Sequence, residues 1–209
     1  MKKNILNSIS KLPFIQSYFR GMITIFMLHR VHPFELNKLS SNENMKISPE
    51  FLDSFIVELK LKGYQFVSLD RVYEMLQSGE KVKKQIVFTL DDGYKDNYEI
   101  AYPIFKKYNI PFTVYITTSF PEDEAILWWY VLEDLILSND FLKLGNGKTY
   151  KCKTKKEKEV VFLEIREMIL GFKKENFLNS LNDLFCHYEI DWFGKNNELC
   201  MSWEQIIFK

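Results

Sequence analysis

Short apolar runs recur over the first 120 residues of the chain, separated by amphipathic segments. They cover residues 22–28 (MITIFML), 65–67, 85–90 and 112–116 and predict four β-strands. Apart from Thr24, the first run has no polar face, which is typical of a strand that is covered on both sides in a parallel sheet.

Three helices are predicted between these strands. Residues 48–50 (SPE) offer an N-cap, a proline at the first helical position and an early acid, and apolar residues follow at helical spacing up to Gly63. A shorter helix leads up to Gly79, and a third carries Tyr98, Ala101, Tyr102 and Phe105 and stops near Asn109, before Pro111. Strands that alternate with helices in this way predict a parallel α/β sheet or barrel with right-handed crossovers.

The pattern changes after Phe120. Residues 125–137 look helical, and residues 141–144 and 149–152 flank Gly-Asn-Gly as a hairpin. Residues 155–187 predict two charged helices. This second half therefore reads as a helical insertion.

Composition and charge exclude several classes of protein. The chain has 209 residues, 46% of them hydrophobic and 16% aromatic, which excludes a disordered or collagen-like chain. Its 28 Lys and Arg balance 28 Asp and Glu, so no nucleic-acid partner is expected. The three cysteines form no disulfide framework. We find no signal peptide and no membrane span, and we expect a cytoplasmic location.

The strand at 85–90 runs directly into Asp91-Asp92-Gly93. In an α/β barrel the C-terminal ends of the strands face the site. Two adjacent carboxylates there point in different directions, so one can hold a metal while the other accepts a proton from a bound water. The alternative is an ordinary turn in which Asp92 caps the next helix.

Residues 89–94 (TLDDGY), together with 110–116 (IPFTVYI), resemble the first motif of the polysaccharide deacetylases, the NodB-homology carbohydrate esterases. Leu90 is the single departure from the family form of that motif. Further similar segments occur in order along the chain: 28–31 (LHRV), 47–51 (ISPEF), 63–69 (GYQFVSL), 128–129 (WW) and 201–205 (MSWEQ).

The resemblance implies a distorted (β/α) barrel that removes acetyl groups from N-acetylated sugars, often in a polysaccharide. It implies that Asp91 is the general base and that Asp92 binds a divalent metal, usually zinc. The residues expected to line the site are His29, Gly93, Tyr94, Trp128 and Trp129. For the two tryptophans, a place in the core is the alternative.

The sequence departs from the family at its second motif. The motif His-Ser/Thr-x-x-His, which supplies the other metal ligands, is not found in the 209 residues. A catalytic zinc usually takes three protein ligands, so the expected metal binding is weak or absent. We therefore expect a truncated deacetylase, with a catalytically inactive fragment or a carbohydrate-binding remnant as the alternative.

Three histidines are candidates for the missing groups. His29 is favoured because it ends a strand beside the acid pair, whereas His32 precedes Pro33 in an extended loop and reads as a surface residue. His187, with the cysteines, matches no common zinc-finger spacing.

The expected fold class is thus α/β, a partial (β/α) barrel of the NodB-homology type with a helical insertion in its C-terminal half. Its expected parts are an N-terminal helical extension (1–20), the N-terminal part of the barrel (21–120), the insertion with its hairpin (121–200) and the start of the next barrel element (201–209). Four strands cannot close such a barrel, so an oligomer through the open sheet edge is also expected.

Overall fold

The structure is a computed structural model that describes residues 21–207. The helical extension predicted for residues 1–20 lies outside the described residues. We keep the predicted boundaries as a proposal and use them to name a sheet region, residues 21–120, and a helical region, residues 121–200.

The sheet region alternates strands and helices, as predicted. Its elements are β1 (Ile23–Leu28), β2 (Arg30–Val31), α1 (Ser40–Glu43), β3 (Lys46–Ile47), α2 (Pro49–Leu61), β4 (Gln65–Phe66), α3 (Leu69–Ser78), β5 (Gln85–Leu90), a π-helical turn (Asn97–Ala101), α4 (Tyr102–Lys107) and β6 (Phe112–Val114).

Strand β5 is the centre of a four-stranded parallel sheet. It pairs with β1 along its whole length, from Gln85 beside Ile23 to Leu90 beside Leu28. On its other side, β4 pairs with its first residues and β6 with its last. The four predicted strands are confirmed. The short parallel pair of β2 and β3 was not predicted, because two-residue strands are too short to show a period.

The two faces of the sheet are covered unequally. Every residue of β5 is buried, and Phe26 and Leu28 of β1 pack into the same apolar cluster as α2. The alternate side chains of β1 point to the other face. There, Ile25 and Met27 are 52% and 61% exposed. The prediction that β1 is covered on both sides is therefore wrong.

Within residues 21–207 the four main strands do not close into a barrel. This confirms the predicted partial barrel.

Local signals account for the helix ends. The Ser48 hydroxyl accepts a hydrogen bond from the Phe51 N–H (3.1 Å), and Ser68 caps α3 in the same way. Gly79 ends α3 in the left-handed region at φ 68°, where a residue without Cβ is unstrained. The predicted helices are confirmed at these ends.

The helix after the acid pair is irregular. Asn97–Ala101 winds as a π-turn directly before α4. Pro103 lacks an N–H and its ring crowds the carbonyl four residues earlier, that of Glu99, so the wider π-turn relieves the clash. One consequence is that Asn97 faces the end of β1, where it contacts His29.

The helical region contains the predicted hairpin and helices. Its elements are α5 (Trp128–Ser138), β7 (Phe141–Lys143), β8 (Thr149–Lys151), α6 (Lys155–Leu170), a 3₁₀ turn (Lys174–Asn176), α7 (Phe177–Leu184) and α8 (Asn196–Leu199). Beyond this region lies α9 (Trp203–Ile207), in the segment predicted to begin the next barrel element.

One boundary differs from the prediction. Helix α5 begins at Trp128 rather than at Ala125. Ala125 and Leu127 instead pack in a small cluster with Tyr94 and Phe120, so tertiary packing replaces the first helical turn.

The helical region has a core of its own. Thr154 and Glu157 form a capping box at the start of α6. The buried face of α6, with Phe162, Ile165 and Ile169, packs against residues of α5, the hairpin and α7.

Among residues 21–207, no helix has the length and the apolar character that crossing a bilayer requires. The predicted cytoplasmic location stays a prediction.

Candidate functional site

The acid pair lies at the carboxyl end of β5, between its two neighbouring strands. The Asp91 N–H donates to the Leu28 carbonyl of β1 (2.8 Å), and the Thr117 N–H donates to the Asp92 carbonyl (3.1 Å). The backbone of the pair is therefore held from both sides at the edge where an α/β barrel places its chemistry.

The turn is backbone-strained. Asp92 has φ 74° and Gly93 has φ 92°, both in the left-handed region. The conformation of Gly93 favours glycine, and a Cβ there would lie 3.0 Å from Cδ1 of Ile116, so the Ile116 side chain would have to shift slightly. A non-glycine residue held in this region costs on the order of 1–3 kcal/mol and is often found at functional sites.

Asp92 and His29 line the same cleft, which has a volume of about 490 Å³. Burial raises the pKa of Asp92 above its ordinary value; nearby His29 lowers it in part, and the charge of Asp91 adds to the rise. Among the described residues, no side-chain hydrogen bond ties Asp92 to the following helix, whose N-cap is Asp96. The capping alternative is thus not what the structure has.

Asp91 lies beside the cleft, next to Asp92, but is not one of its lining residues. Its role stays a prediction.

A hydrogen bond to its backbone carbonyl positions His29. Its carbonyl accepts a hydrogen bond from Nδ2 of Asn97 (2.9 Å). Its Nδ1 is buried and has no hydrogen-bond partner among the described residues. The structure thus places His29 and Asp92 in one cleft.

A buried ion pair supports this arrangement, and the sequence analysis missed it. Nε of Arg30 donates to Asp96 (2.7 Å) and Nη1 donates to the Tyr130 hydroxyl (3.0 Å). The guanidinium also lies over the Tyr94 ring, 5.0 Å from its centroid. Burial works against the charge of Arg30, but Asp96 and Tyr130 outweigh it and raise the Arg30 pKa.

The segment that follows the acid pair carried the signal for this network. Asp96 and Asn97 come three and four residues after Gly93, so one turn of helix brings them back to the end of β1. Both side chains are polar, and the end of β1 that they face carries His29 and Arg30. Hydrogen bonds between the two segments could therefore have been predicted.

Tyr94 lines the cleft, whereas Gly93 is not one of its lining residues. Tyr94 is buried against Phe120 and Tyr130. The Gly93 carbonyl accepts a hydrogen bond from the Met201 N–H (3.0 Å), which ties the segment before α9 to the acid pair.

Trp128 and Trp129 form one wall of the cleft. Their rings meet edge to face at 5.7 Å, and both are half-buried. Both tryptophans pack against the core of the helical region, and both also line the cleft. The two places considered for them, in the core and in the site, thus each hold for one side of the rings.

The remaining candidates lie elsewhere. Nδ1 of His32 is 2.9 Å from the Pro33 carbonyl, and its ring lines a separate charged cavity. His187 and Cys186 are exposed, whereas Cys152 and Cys200 are buried free thiols. Burial raises the pKa of Cys200 to about 12, which makes it a poor metal ligand at neutral pH.

The described residues do not by themselves fit a catalytic zinc ion. Over residues 21–207 we find no group of three or more His, Cys, Asp or Glu side chains placed to hold a metal. His29 and Asp92 are two groups of suitable chemistry in one cleft, one fewer than the three protein ligands that a catalytic zinc usually takes.

Comparison with known proteins identifies the segment around the acid pair. Residues 78–140 match the family model described as polysaccharide deacetylase. This stretch is similar to the polysaccharide deacetylase family. The deacetylase segment includes the acid pair, Gly93, Tyr94 and both cleft tryptophans.

Similar curated proteins carry deacetylase names. YxkH of Bacillus subtilis, which has a provisional polysaccharide deacetylase name, is 31% identical over 81 residues, covering 38% of this chain and 29% of that protein. The poly-β-1,6-N-acetyl-D-glucosamine N-deacetylase of Staphylococcus aureus is 33% identical over 82 residues, 39% of this chain and 28% of the enzyme. The matched part thus spans less than a third of these relatives.

Solved deacetylase structures were also found. The Streptococcus pyogenes deacetylase PplD, in complex with acetate, is 31% identical, with a TM-score of 0.42 and coverage of 49% of this chain and 46% of that one. IcaB from Ammonifex degensii is 25% identical, with a TM-score of 0.40 and coverage of 46% and 39%.

Proposed function

We propose that this chain carries the catalytic acid pair of a hydrolase that removes N-acetyl groups from amino sugars in a polysaccharide or its precursor. The observation that carries the proposal is the strained turn at the end of β5, which presents Asp92 with His29 in an aromatic cleft. That turn lies within the segment that matches the polysaccharide deacetylases.

In this proposal Asp91 is the general base. It takes a proton from the water that attacks the acetyl carbonyl, the C–N bond breaks, acetate leaves, and the sugar amine receives a proton. His29 is the proposed donor of that proton, because it lines the same cleft as Asp92.

Asp92 is the proposed ligand of a divalent metal, with zinc as the ion that the family resemblance implies. When bound, such an ion polarises the acetyl carbonyl. The described residues supply fewer than the three protein ligands that a catalytic zinc usually takes, so Asp92 would hold such an ion weakly.

The proposed substrate is an oligomer of N-acetylated amino sugars. The Staphylococcus aureus relative is named for poly-β-1,6-N-acetyl-D-glucosamine, which makes β-1,6-linked oligomers the first to try. The half-buried indoles of Trp128 and Trp129 offer flat apolar surfaces to the faces of sugar rings.

The direct test is acetate release from β-1,6-linked N-acetylglucosamine oligomers, with zinc added and with a chelator. The proposal predicts time-dependent acetate release that responds to the metal. Binding of the oligomers without any acetate release, in both conditions, would contradict hydrolysis.

A second candidate is a sugar-binding protein without catalysis. It is favoured by the lack of a three-ligand group among residues 21–207. Under this candidate, changing Asp91 or Asp92 to Asn leaves oligomer affinity nearly unchanged, whereas Trp128→Ala weakens it. Calorimetry with the same oligomers separates the two candidates.

A further inference from the structure

Helix α6 forms a second wall of the cleft that contains Asp92. Leu163, Arg166 and Leu170 line this cleft, opposite the site residues. They are spaced three and four residues apart, so they share one stripe of the helix, beside the stripe that Phe162, Ile165 and Ile169 bury in the core. All of α6 lies outside the segment matched by the family model.

The exposed leucines of α6 are unusual for a solvated helix face. Leu163 and Leu170 are 48% and 55% exposed. Single exposed apolar residues are ordinary on protein surfaces. These two, however, continue an apolar surface that Met45, Trp128 and Trp129 begin in the same cleft.

The cleft carries little charge. Among the described residues that line it, only Asp92, His29 and Arg166 have acidic or basic side chains. Nη1 of Arg166 lies 2.6 Å from Glu167, so its charge is already matched. The neighbouring cavity around Arg30 and Lys46, in contrast, is lined by acids and bases throughout.

A volume of about 490 Å³ lies within the usual ~300–1,000 Å³ of ligand sites. The opening extends from the acid pair to the last turn of α6.

We propose that the exposed stripe of α6 binds the units of an uncharged N-acetylated sugar chain that lie beyond the reacting unit. The proposal rests on the proposed function, because it takes Asp92 as the reacting end of the cleft. Apolar sugar faces and acetyl methyl groups would cover Leu163 and Leu170, and the absence of unmatched cations disfavours an anionic polymer.

The test compares ligands of two lengths. Calorimetric titration with a β-1,6-linked N-acetylglucosamine tetramer and with the monosaccharide is done for the wild-type chain and for the double variant Leu163→Ser/Leu170→Ser. The double variant is expected to bind the tetramer about tenfold more weakly, since it loses apolar contact area, and to bind the monosaccharide like the wild type.

Two matched control variants change exposed apolar residues that do not line the cleft. Val160 is 49% exposed on the same helix but does not line the cleft, and Leu76 is 63% exposed on α3. Val160→Ser and Leu76→Ser should leave tetramer affinity unchanged. Circular dichroism of each variant confirms that it is folded.

Several outcomes would overturn the inference. Unchanged tetramer affinity in the double variant, with Trp128→Ala still weakening binding, removes α6 from the site and leaves the proposed function standing. Tighter binding of an anionic oligomer, lost on Arg166→Gln, contradicts an uncharged ligand. If the wild-type chain binds neither sugar, the proposed function fails together with the inference.

Discussion

The sheet region and the helical region bury their apolar residues in different ways. Among the described residues, one cluster of fifteen buried side chains combines fourteen from the helical region with Leu39 of the sheet region. The sheet region packs one face of its sheet against α2 and leaves Ile25 and Met27 of β1 exposed on the other. The acid pair belongs to the less enclosed region, at the edge of a sheet with one open face.

The two regions supply different parts of the candidate site. The sheet region supplies Asp91, Asp92 and His29 on a backbone held by neighbouring strands. The helical region supplies the walls of the cleft through Trp129 and α6. A rigid strand end sets the position of reacting groups, whereas helices packed on their own core can differ without disturbing it.

Buried polar contacts join the two regions. Arg30 reaches Tyr130 of α5 (3.0 Å), and Glu133 accepts a hydrogen bond from the Leu39 N–H (2.7 Å). Nζ of Lys38 also pairs with Asp134 (2.8 Å). The cleft exists because these contacts fix α5 against the end of β1.

The strongest test of these contacts between the two regions is the variant Arg30→Met. It leaves Asp96 buried without a counter-ion, so we expect a loss of ~3–5 kcal/mol in the free energy of unfolding. Arg71→Met is the matched control, because Arg71 pairs with Glu74 and Glu80 on the surface, where the loss of an ion pair costs little stability. The free energy of unfolding is measured with urea. Similar small losses in both variants would show that the Arg30 contacts do not hold the two regions together.

Two helix caps test whether the regions unfold as one unit. Thr154→Ala removes the cap of α6, and Ser48→Ala removes the cap of α2; each should cost ~1 kcal/mol. Three of the four tryptophans lie in the helical region, the fourth, Trp203, lies in α9, and the sheet region has none. With Trp203→Phe as the background, fluorescence follows the helical region while far-ultraviolet circular dichroism follows both. We expect the two signals to shift together in both variants. Separate transitions would mean that the regions unfold independently.

A smaller effect is expected at Asp92. Burial raises its pKa in the folded chain, so the folded state gains relative stability below the ordinary pKa of about 3.9 and loses it as the pH rises through the raised value. Asp92→Asn should therefore increase the free energy of unfolding at pH 7 by less than ~1 kcal/mol, because the carboxylate is still partly solvated.

The pH dependence separates charge from backbone effects. Asn also tolerates the left-handed region, a gain that does not depend on pH. We expect the advantage of Asp92→Asn over the wild type to shrink when thermal unfolding is repeated near pH 3. A constant advantage would assign all of it to the backbone.

The smallest effect on stability is expected at the open face of β1. We propose that this face and the outer edge of β1 support self-association. Ile25→Lys should change the free energy of unfolding by less than ~0.5 kcal/mol, because Ile25 is half exposed, and should shift the chain toward monomer in sedimentation. Leu61→Lys, at a 79% exposed position on α2, is the control. An unchanged distribution of species would remove this surface as an interface.

The sequence predicted the parts of the fold that rest on local patterns. The strands, the capped start of α2, the end of α3 at Gly79 and the hairpin follow from runs of apolar residues, the Ser48 cap, a glycine and Gly-Asn-Gly. It could not predict that one face of β1 is open, because an apolar run does not tell which neighbours cover it. Likewise, Ala125 and Leu127 have helical character but are recruited by Tyr94 and Phe120.

The part of the candidate site that lies at the ends of β1 and β5 was predictable from the sequence. Asp91-Asp92-Gly93 and His29 each end a strand, and parallel pairing of β1 with β5 brings them together. The Arg30–Asp96 pair lies within the sheet region and was missed, although the spacing of Asp96 after Gly93 carried a signal for it. The α6 wall was not predicted, since it depends on how the helical region docks on the sheet. That docking is long-range in sequence and has no local signature.

The central claim is that the acid pair performs hydrolysis in this cleft. The measurement is the initial rate of acetate release from a β-1,6-linked N-acetylglucosamine tetramer by the wild type, by Asp91→Asn and by the control Asp70→Asn, which changes an exposed acid on α3. The account predicts that Asp91→Asn releases acetate at least ~100-fold more slowly while still binding the tetramer, and that Asp70→Asn matches the wild type. Equal rates for Asp91→Asn and the wild type would contradict it.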